Sequence, residues 1–462
     1  MMAMTVKELL EATGGRLMGG SQDVSKKFTG VRTDNRLCRE GDLFIAIVGE
    51  KNDAHRFIPG ALEKGAAGCL ISRELDHYEE DRFYVLVKDT TLALGDLARY
   101  YRGKFKIPVI GVTGSVGKTT TKDMIAAVLS ARFRVLKTEG NLNNNFGVPR
   151  MLLQLEEDHQ IAVIEMGMNH LGEIDYLTRI ARPDAAVITN IGDAHIGNLG
   201  SKENILKAKS EIFAGLSEKG IAVLNGDDPL LRTLEGKVPF PILWAGQGES
   251  CDYRAVDIDD SFPEKLTLTA ETPCGSFAVE VPQPGRHMLY SVMTAAALGR
   301  YFGMTDEEIA RGVASYVPTA MRMDIKTLEG NIVLYNGAYN ANSDSMISAL
   351  QTMSAARTSR KVAVLGDMLE QGSFEEELHR KVGAAAAACP IDTLVTVGKA
   401  AGTYLADEAG KAGLSDIRIC NDLEEAEQVL KDLVREDTAL LFKASHSMHL
   451  EKLYDYCLLL RG

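Results

Sequence analysis

Residues 107–112 read as a buried strand, and they run without a break into Thr113, Gly114, Ser115, Val116, Gly117, Lys118, Thr119 and Thr120. The glycines allow a tight turn whose N–H groups point inward, Lys118 can reach the outer phosphates of a nucleotide, and the Thr119 hydroxyl can hold a magnesium ion. Beyond the loop, Met124, Ile125, Val128 and Leu129 recur at helical spacing, so a helix N-terminus directs its partial positive charge at the same anion. A strict P-loop has glycine five residues before Gly117; here Val112 stands there and Gly111 falls one place early, which makes the loop a shortened variant. A Gly-rich strand-to-helix turn with no ligand is the rival reading. The flanking strand and helix favour nucleotide binding.

The same alternation of apolar run and polar loop extends along the chain. At 462 residues it is too long for one ordinary core. Runs at 42–48 and 68–72 with a helical segment at 58–64 predict a small α/β domain over 1–105, joined through a helix at 92–106. Runs at 107–112, 161–164, 185–191 and 221–224 predict a buried parallel sheet, with an appended antiparallel hairpin at 265–269 and 276–281 and a helix at 288–302, over 106–319. Runs at 332–335, 362–365, 393–397, 417–420 and 439–442 and a last helix at 448–460 predict a Rossmann-like domain over 320–462 without the dinucleotide glycine fingerprint. The expected fold class is α/β in three domains.

Composition narrows the function. With 51 basic and 64 acidic residues the net charge is -13, which repels a nucleic-acid backbone or an anionic membrane surface, so any anionic ligand must be captured locally. The seven cysteines are scattered, odd in number and never spaced as a metal knuckle, as expected of reduced core residues. Residues 1–10 lack a basic segment leading into a long apolar one, and no run is long enough to span a bilayer. The expectation is a cytoplasmic protein with no membrane span and no nucleic-acid partner.

In a parallel sheet, ligands gather at the carboxyl ends of the strands. Glu165 closes one such strand and His195 follows another. A carboxylate suits magnesium and a neutral imidazole can ligate, so with Thr119 they could bracket ions that bridge phosphates. Singly, Glu165 could equally be solvated at a strand end, and His195 could cap a helix. Lys209 lies on the helical run 202–213, where a lysine is more often solvated than functional.

Taken in order, Thr113 to Thr120, Asn141 to Pro149, Glu165-Met166-Gly167, Asp193-Ala194-His195, Lys207-Ala208-Lys209, Tyr339-Asn340-Ala341-Asn342 and 365–370 resemble the Mur ligases of peptidoglycan synthesis. The N-terminal Thr33-Asp34-Asn35-Arg36 and 41–44 are similar to the uridine-nucleotide domain of the MurF branch. The resemblance implies an ATP-dependent ligase with UDP-N-acetylmuramoyl-tripeptide and D-alanyl-D-alanine as substrates, joined through an acyl phosphate by a monomeric enzyme. It implies catalytic roles for Lys118, Glu165, His195 and Lys209, and two Mg2+ ions held by Thr119, Glu165, His195 and a carbamylated Lys209. ATP contacts are implied for Thr113 to Thr120, Arg322, Asn336, Tyr339 and Asn340. UDP-linked substrate contacts are implied for Asn141, Asn143, Asn144, Asp34 and Arg36, with Asn turns and an exposed local ion pair as rival readings.

Departures from the family pattern cluster on the adenosine and dipeptide side. Asn336-Gly337-Ala338 replaces two aspartates and a serine, Met288 and Ser291 replace asparagines, and Lys443-Ala444-Ser445-His446 carries histidine in place of arginine. The expectation is that Met288 packs on the base and that His446 makes dipeptide capture pH dependent. Two alternatives stand beside the ligase: a non-catalytic paralogue that binds nucleotide or UDP-sugar, and a Mur-type ligase for another amine acceptor.

Overall fold

The computed structural model describes residues 1–49, 52–262 and 264–461, and three large sheets organise them, beside a two-stranded one that pairs Met4–Thr5 with Lys27–Phe28. The first has five strands in the spatial order Arg16–Leu17, Phe83–Leu86, Gly68–Ile71, Asp42–Ile45 and Gly30–Arg32, all parallel except the first pair. Helix Thr90–Arg102 follows, capped by Asp89, whose carboxylate accepts from the Thr91 and Leu92 amides. It is shorter than the predicted 92–106 because the buried Arg102 donates to the carbonyls of Phe105, Ile107 and Ala181, which turns the chain into the next sheet. Gly95 on this helix leaves room for Tyr176: a Cβ would stand 2.0 Å from the Tyr176 hydroxyl and force that side chain to move.

The central sheet has nine strands, ordered Gly275–Val281, Leu266–Thr272, Tyr253–Asp259, Ile242–Gly246, Ile221–Asn225, Ala185–Ile188, Val109–Thr113, Ile161–Glu165 and Val135–Lys137. All pairs are parallel except the two that form the appended hairpin edge. Register decides what meets at the carboxyl edge. Val109–Thr113 lies between Ile161–Glu165 and Ala185–Ile188, with Val112 opposite Glu165 and Thr113 opposite Ile188. The phosphate-type loop, Glu165 and residues 189–195 therefore leave the sheet side by side. Helix Lys118–Ser130 covers the sheet and packs through Met124, Ile125, Val128 and Leu129 into one apolar cluster with Leu289, Val292 and Met293 of helix Met288–Tyr301. Burying such side chains contributes roughly 1.5–3 kcal/mol each.

The third sheet has six strands, ordered Asp324–Leu328, Ile332–Asn336, Thr438–Lys443, Arg360–Gly366, Thr393–Val397 and Ile417–Cys420, parallel except for the antiparallel first edge. The final helix is Glu451–Arg461, starting three residues later than predicted because residues 446–448 form a separate 3-10 turn. Cys38, Cys69, Cys420 and Cys457 are buried and all seven cysteines are free, but Cys274 is exposed on the hairpin turn, so not every one is a core residue. Among the described residues, no helix is long and apolar enough to cross a membrane.

Candidate active site

A cleft of about 1360 Å³ runs between the three sheets. Thr91 and Leu92 line it from the first unit, Ser115 to Lys118, Thr120 and Thr121 with Asn190 and His195 from the second, and Arg322, Tyr339 and Lys443 from the third.

The loop is pinned from behind. Gly114 adopts φ 150, and a Cβ there would fall 1.8 Å from the Thr189 hydroxyl, so only glycine lets the two strand ends approach. Asn190, which sequence reasoning passed over, accepts the Ser115 amide at its carbonyl (3.0 Å) and the Val116 amide at its side chain (2.9 Å). Those two N–H groups are thus already spent, contrary to the expectation that the loop amides all point inward. The donors that remain lie at the start of helix Lys118–Ser130, which follows Gly117 at φ 80 and has no side-chain cap. Lys118 folds back, donating to the Gly114 carbonyl at 2.8 Å. Burial pushes its pKa down, with the Glu165 charge opposing and the Arg322 charge reinforcing that shift. Thr120 lines the cleft, and the buried Thr113 hydroxyl has no hydrogen-bond partner among the described residues.

Glu165 is 1% exposed, so the sequence rival of a solvated strand end is corrected. Its two oxygens are divided: Oε2 accepts from the Thr119 hydroxyl and Oε1 from the Asn143 amide, each at 2.8 Å. Asn143, expected to contact the UDP-linked substrate, lines the cleft and donates to the carboxylate beside the loop. Asn144 accepts the Phe146 and Gly147 amides, which makes it the turn-forming residue of the Asn loop, while Asn141 lines the cleft without such a role.

His195 occupies the residue before the short helix Ile196–Leu199, but its side chain caps nothing, and its backbone is left-handed at φ 66. Its Nδ1 is buried and has no partner among the described residues. Burial first, then the nearby charges of Lys118, Lys209 and His170, lowers its pKa to about 3, so the ring is neutral at pH 7. Lys209 on helix Lys202–Ser210 is not solvated: it is 1% exposed, and burial together with Lys118 drives its pKa well below the usual lysine value. Lys118, Glu165, His195 and Lys209 thus lie within electrostatic reach of one another.

These residues fit magnesium. A threonine hydroxyl and a buried carboxylate already share one proton bridge, a neutral imidazole nitrogen is left unpaired beside them, and a buried amine is biased to its neutral, nucleophilic form.

Across the cleft, the Arg322 guanidinium lies 4.0 Å over the Tyr339 ring, and Tyr339 meets His446 at 5.6 Å between ring centres. Met321 and Met323 on either side of Arg322 both hold positive φ, near 60. The buried Lys443, which sequence reasoning used only as a motif marker, donates to the carbonyls of Asn340 (2.7 Å) and Gly337 (3.2 Å). Burial and Arg322 lower its pKa to about 7. Asn336 is turned inward, accepting the Ala338 amide, and does not line the cleft; Asn340 does. Met288 is corrected too: it is wholly buried in the central core and cannot pack on a base, whereas His287 and Tyr290 beside it face the cleft. Ser291 is spent on Thr121 at 2.9 Å.

Asp34 and Arg36 are not brought to this cleft. They form an exposed bidentate pair with each other, Nη2 to Oδ2 at 2.7 Å, and the pairing lowers the Asp34 pKa to about 2.

The chain is similar to known proteins along almost its whole length. Residues 112–299 match the Mur ligase middle domain, and residues 321–446 match the family described as Mur ligase, glutamate ligase domain. The chain is 40% identical over 456 residues to the UDP-N-acetylmuramoyl-tripeptide--D-alanyl-D-alanine ligase of Bacillus subtilis, covering 98% of both chains. It is 39% identical over 401 residues to the Escherichia coli protein of the same name, covering 86% of this chain and 87% of that one. Its structure is similar to MurF from Acinetobacter baumannii (TM-score 0.91, 32% identity, 99% of each chain) and to MurF ligase from Thermotoga maritima in complex with ADP (TM-score 0.81, 28% identity, 93% and 97%). The chain belongs to the Mur ligase family.

Proposed function

We propose that the chain joins D-alanyl-D-alanine to UDP-N-acetylmuramoyl-tripeptide using ATP, as the names of its relatives say of them. The observation that carries this reading is the group of Lys118, Glu165 and His195, which line the cleft together with Arg322 and Tyr339, backed by Thr119 on the Glu165 carboxylate and by the buried Lys209 within electrostatic reach.

In this reading the first unit, residues 1–105, holds the UDP-sugar, residues 106–319 hold ATP, and residues 320–462 close over the adenosine and present the dipeptide. The terminal carboxylate of the tripeptide attacks the γ-phosphorus, the bond to the bridging oxygen of ADP breaks, and an acyl phosphate forms. The dipeptide amine then attacks the acyl carbon, loses a proton, and inorganic phosphate leaves. Two anions must meet in a dry cleft, where their repulsion is severe. Lys118 and the uncapped helix start neutralise the phosphates, and Arg322, braced on Tyr339, adds charge from the closing side. When bound, two magnesium ions supply further positive charge, one fitting Thr119 and Glu165 and the other fitting His195 and Lys209 in carbamate form. Asn143 fixes the Glu165 carboxylate, and burial keeps His195 neutral and the Lys209 amine able to take up carbon dioxide. All these groups come from one chain, so a monomer suffices.

The test is phosphate release from ATP with UDP-linked tripeptide, with and without D-alanyl-D-alanine. Release that depends on the dipeptide is expected. ATP binding without it would return the chain to a nucleotide-binding paralogue, and equal release with D-alanine alone would indicate another amine acceptor.

A further inference from the structure

Asp193 stands two residues before His195 and is 3% exposed. Its carbonyl accepts the Ile196 amide at 3.2 Å, so it opens the turn that holds His195 in its left-handed conformation. What surrounds its carboxylate comes mostly from the C-terminal unit. Oδ2 accepts from the Ser343 hydroxyl (2.7 Å) and from the ammonium of Lys381 (2.8 Å), while Lys202 of its own unit reaches Oδ1 at 3.1 Å. Lys381, on helix Glu375–Ala388, also donates to Asp344 Oδ1 (2.9 Å) and to the Ser343 hydroxyl (3.2 Å). Asp344 in turn accepts the Asp193 amide at Oδ2, 3.0 Å. The carboxylate therefore sits at the N-terminus of helix Ser343–Ser354, and a lysine from a second helix closes the ring.

With the cleft open, this anion would keep Lys202 alone of these cations. With the cleft closed, two C-terminal helices and a second cation, Lys381, satisfy it. We infer that Lys381 is a positioning residue, a latch that captures Asp193 on closure and so ties the approach of the C-terminal unit to the turn presenting His195. Ser343 and the Asp193 to Asp344 amide contact keep the turn in place once substrates have closed the cleft, so losing the latch weakens assembly of the site more than the chemical step. The kinetic part rests on the ligase reading; the conformational part does not.

The variant Lys381→Met removes the charge and keeps the stem, and at 40% side-chain exposure the position tolerates it. Discounting charged hydrogen bonds for the solvent-open part of the ammonium, the KM for ATP should rise about five- to twentyfold with kcat changed less than about twofold. Lys381→Arg should recover most of the affinity. Small-angle scattering of the ligand-free protein should show a larger radius of gyration for Lys381→Met than for wild type, returning toward it with magnesium and a non-hydrolysable ATP analogue, and 0.5 M salt should enlarge the wild type more than the variant. An unchanged radius together with an unchanged KM overturns the latch, as does a loss confined to kcat. If neither protein shows dipeptide-dependent turnover, the ligase reading fails while the scattering comparison still decides the latch.

Discussion

Replacing Glu165 with Gln separates charge from shape at the centre of the site. The carboxylate accepts one hydrogen bond at each oxygen, from Thr119 and Asn143, both at 2.8 Å, and is 1% exposed. A glutamine can keep its oxygen on Asn143 and turn its NH2 toward the Thr119 hydroxyl, which can accept. Each bond changes from charge-assisted to neutral, a loss of about 1 kcal/mol apiece, and this is offset by no longer burying an ion in the sheet edge. Fold stability should therefore move by no more than about 1 kcal/mol. Turnover has no such compensation, because the negative charge that holds a divalent ion against the phosphates, and that opposes the lowering of the Lys118 pKa, is gone. The loss should be about 10²- to 10³-fold, the range seen when one preorganised electrostatic group is removed. The assay is dipeptide-dependent phosphate release at saturating ATP and magnesium, paired with a thermal melt. Turnover within about fivefold of wild type, or a melt that collapses in parallel with activity, would refute the assignment of Glu165 as an electrostatic rather than a packing residue.

Lys209→Ala should abolish turnover, and short-chain carboxylates should partly restore it by replacing a carbamate oxygen; activity measured with and without added acetate or formate decides this, and absence of rescue counts against the carbamate. Gly197→Ala should impede closure without unfolding either unit, since a Cβ would stand 2.5 Å from the Glu370 carbonyl and 2.7 Å from the Gln371 carbonyl carbon across the junction; a raised KM for ATP and a larger radius by scattering are expected, with the melting temperature nearly unchanged. His287 has its pKa lowered to about 4, first by burial and then by Lys443. The folded protein keeps that ring neutral while the unfolded chain takes up a proton below about 6.5, so stability falls as pH drops from about 6.5 to about 4, by at most about 1.4 kcal/mol per pH unit for this one site. Urea unfolding across that window should show a shallower slope for His287→Asn, and an identical slope would exclude His287 as a contributor.

Much of the central unit was legible because buried parallel strands are short, unbroken apolar runs, as at Val109–Thr113 and Ile161–Glu165. Other strands were not: Ile242–Gly246 is apolar but short and set between Pro241 and the glycines Gly246 and Gly248, Tyr253–Asp259 carries three charges, and the edge strand Asp324–Leu328 is half solvent-facing. Asp34 and Arg36 show the converse, since a motif can match while the side chains satisfy each other at the surface. Met288 matched a motif column as well, yet its helix face points into the core.

From the chain alone, the loop at 113–120 already fixed a strand, a turn and a helix start, because glycine placement and helical spacing act over a few neighbouring residues. The burial of Lys209 within a lysine-rich helix, the unpaired nitrogen of His195 and the pairing of Asp193 with Lys381, 188 residues away, were settled only when the sheets assembled. Desolvation and long-range ion pairing depend on which surfaces meet, and no local pattern of residue types encodes that.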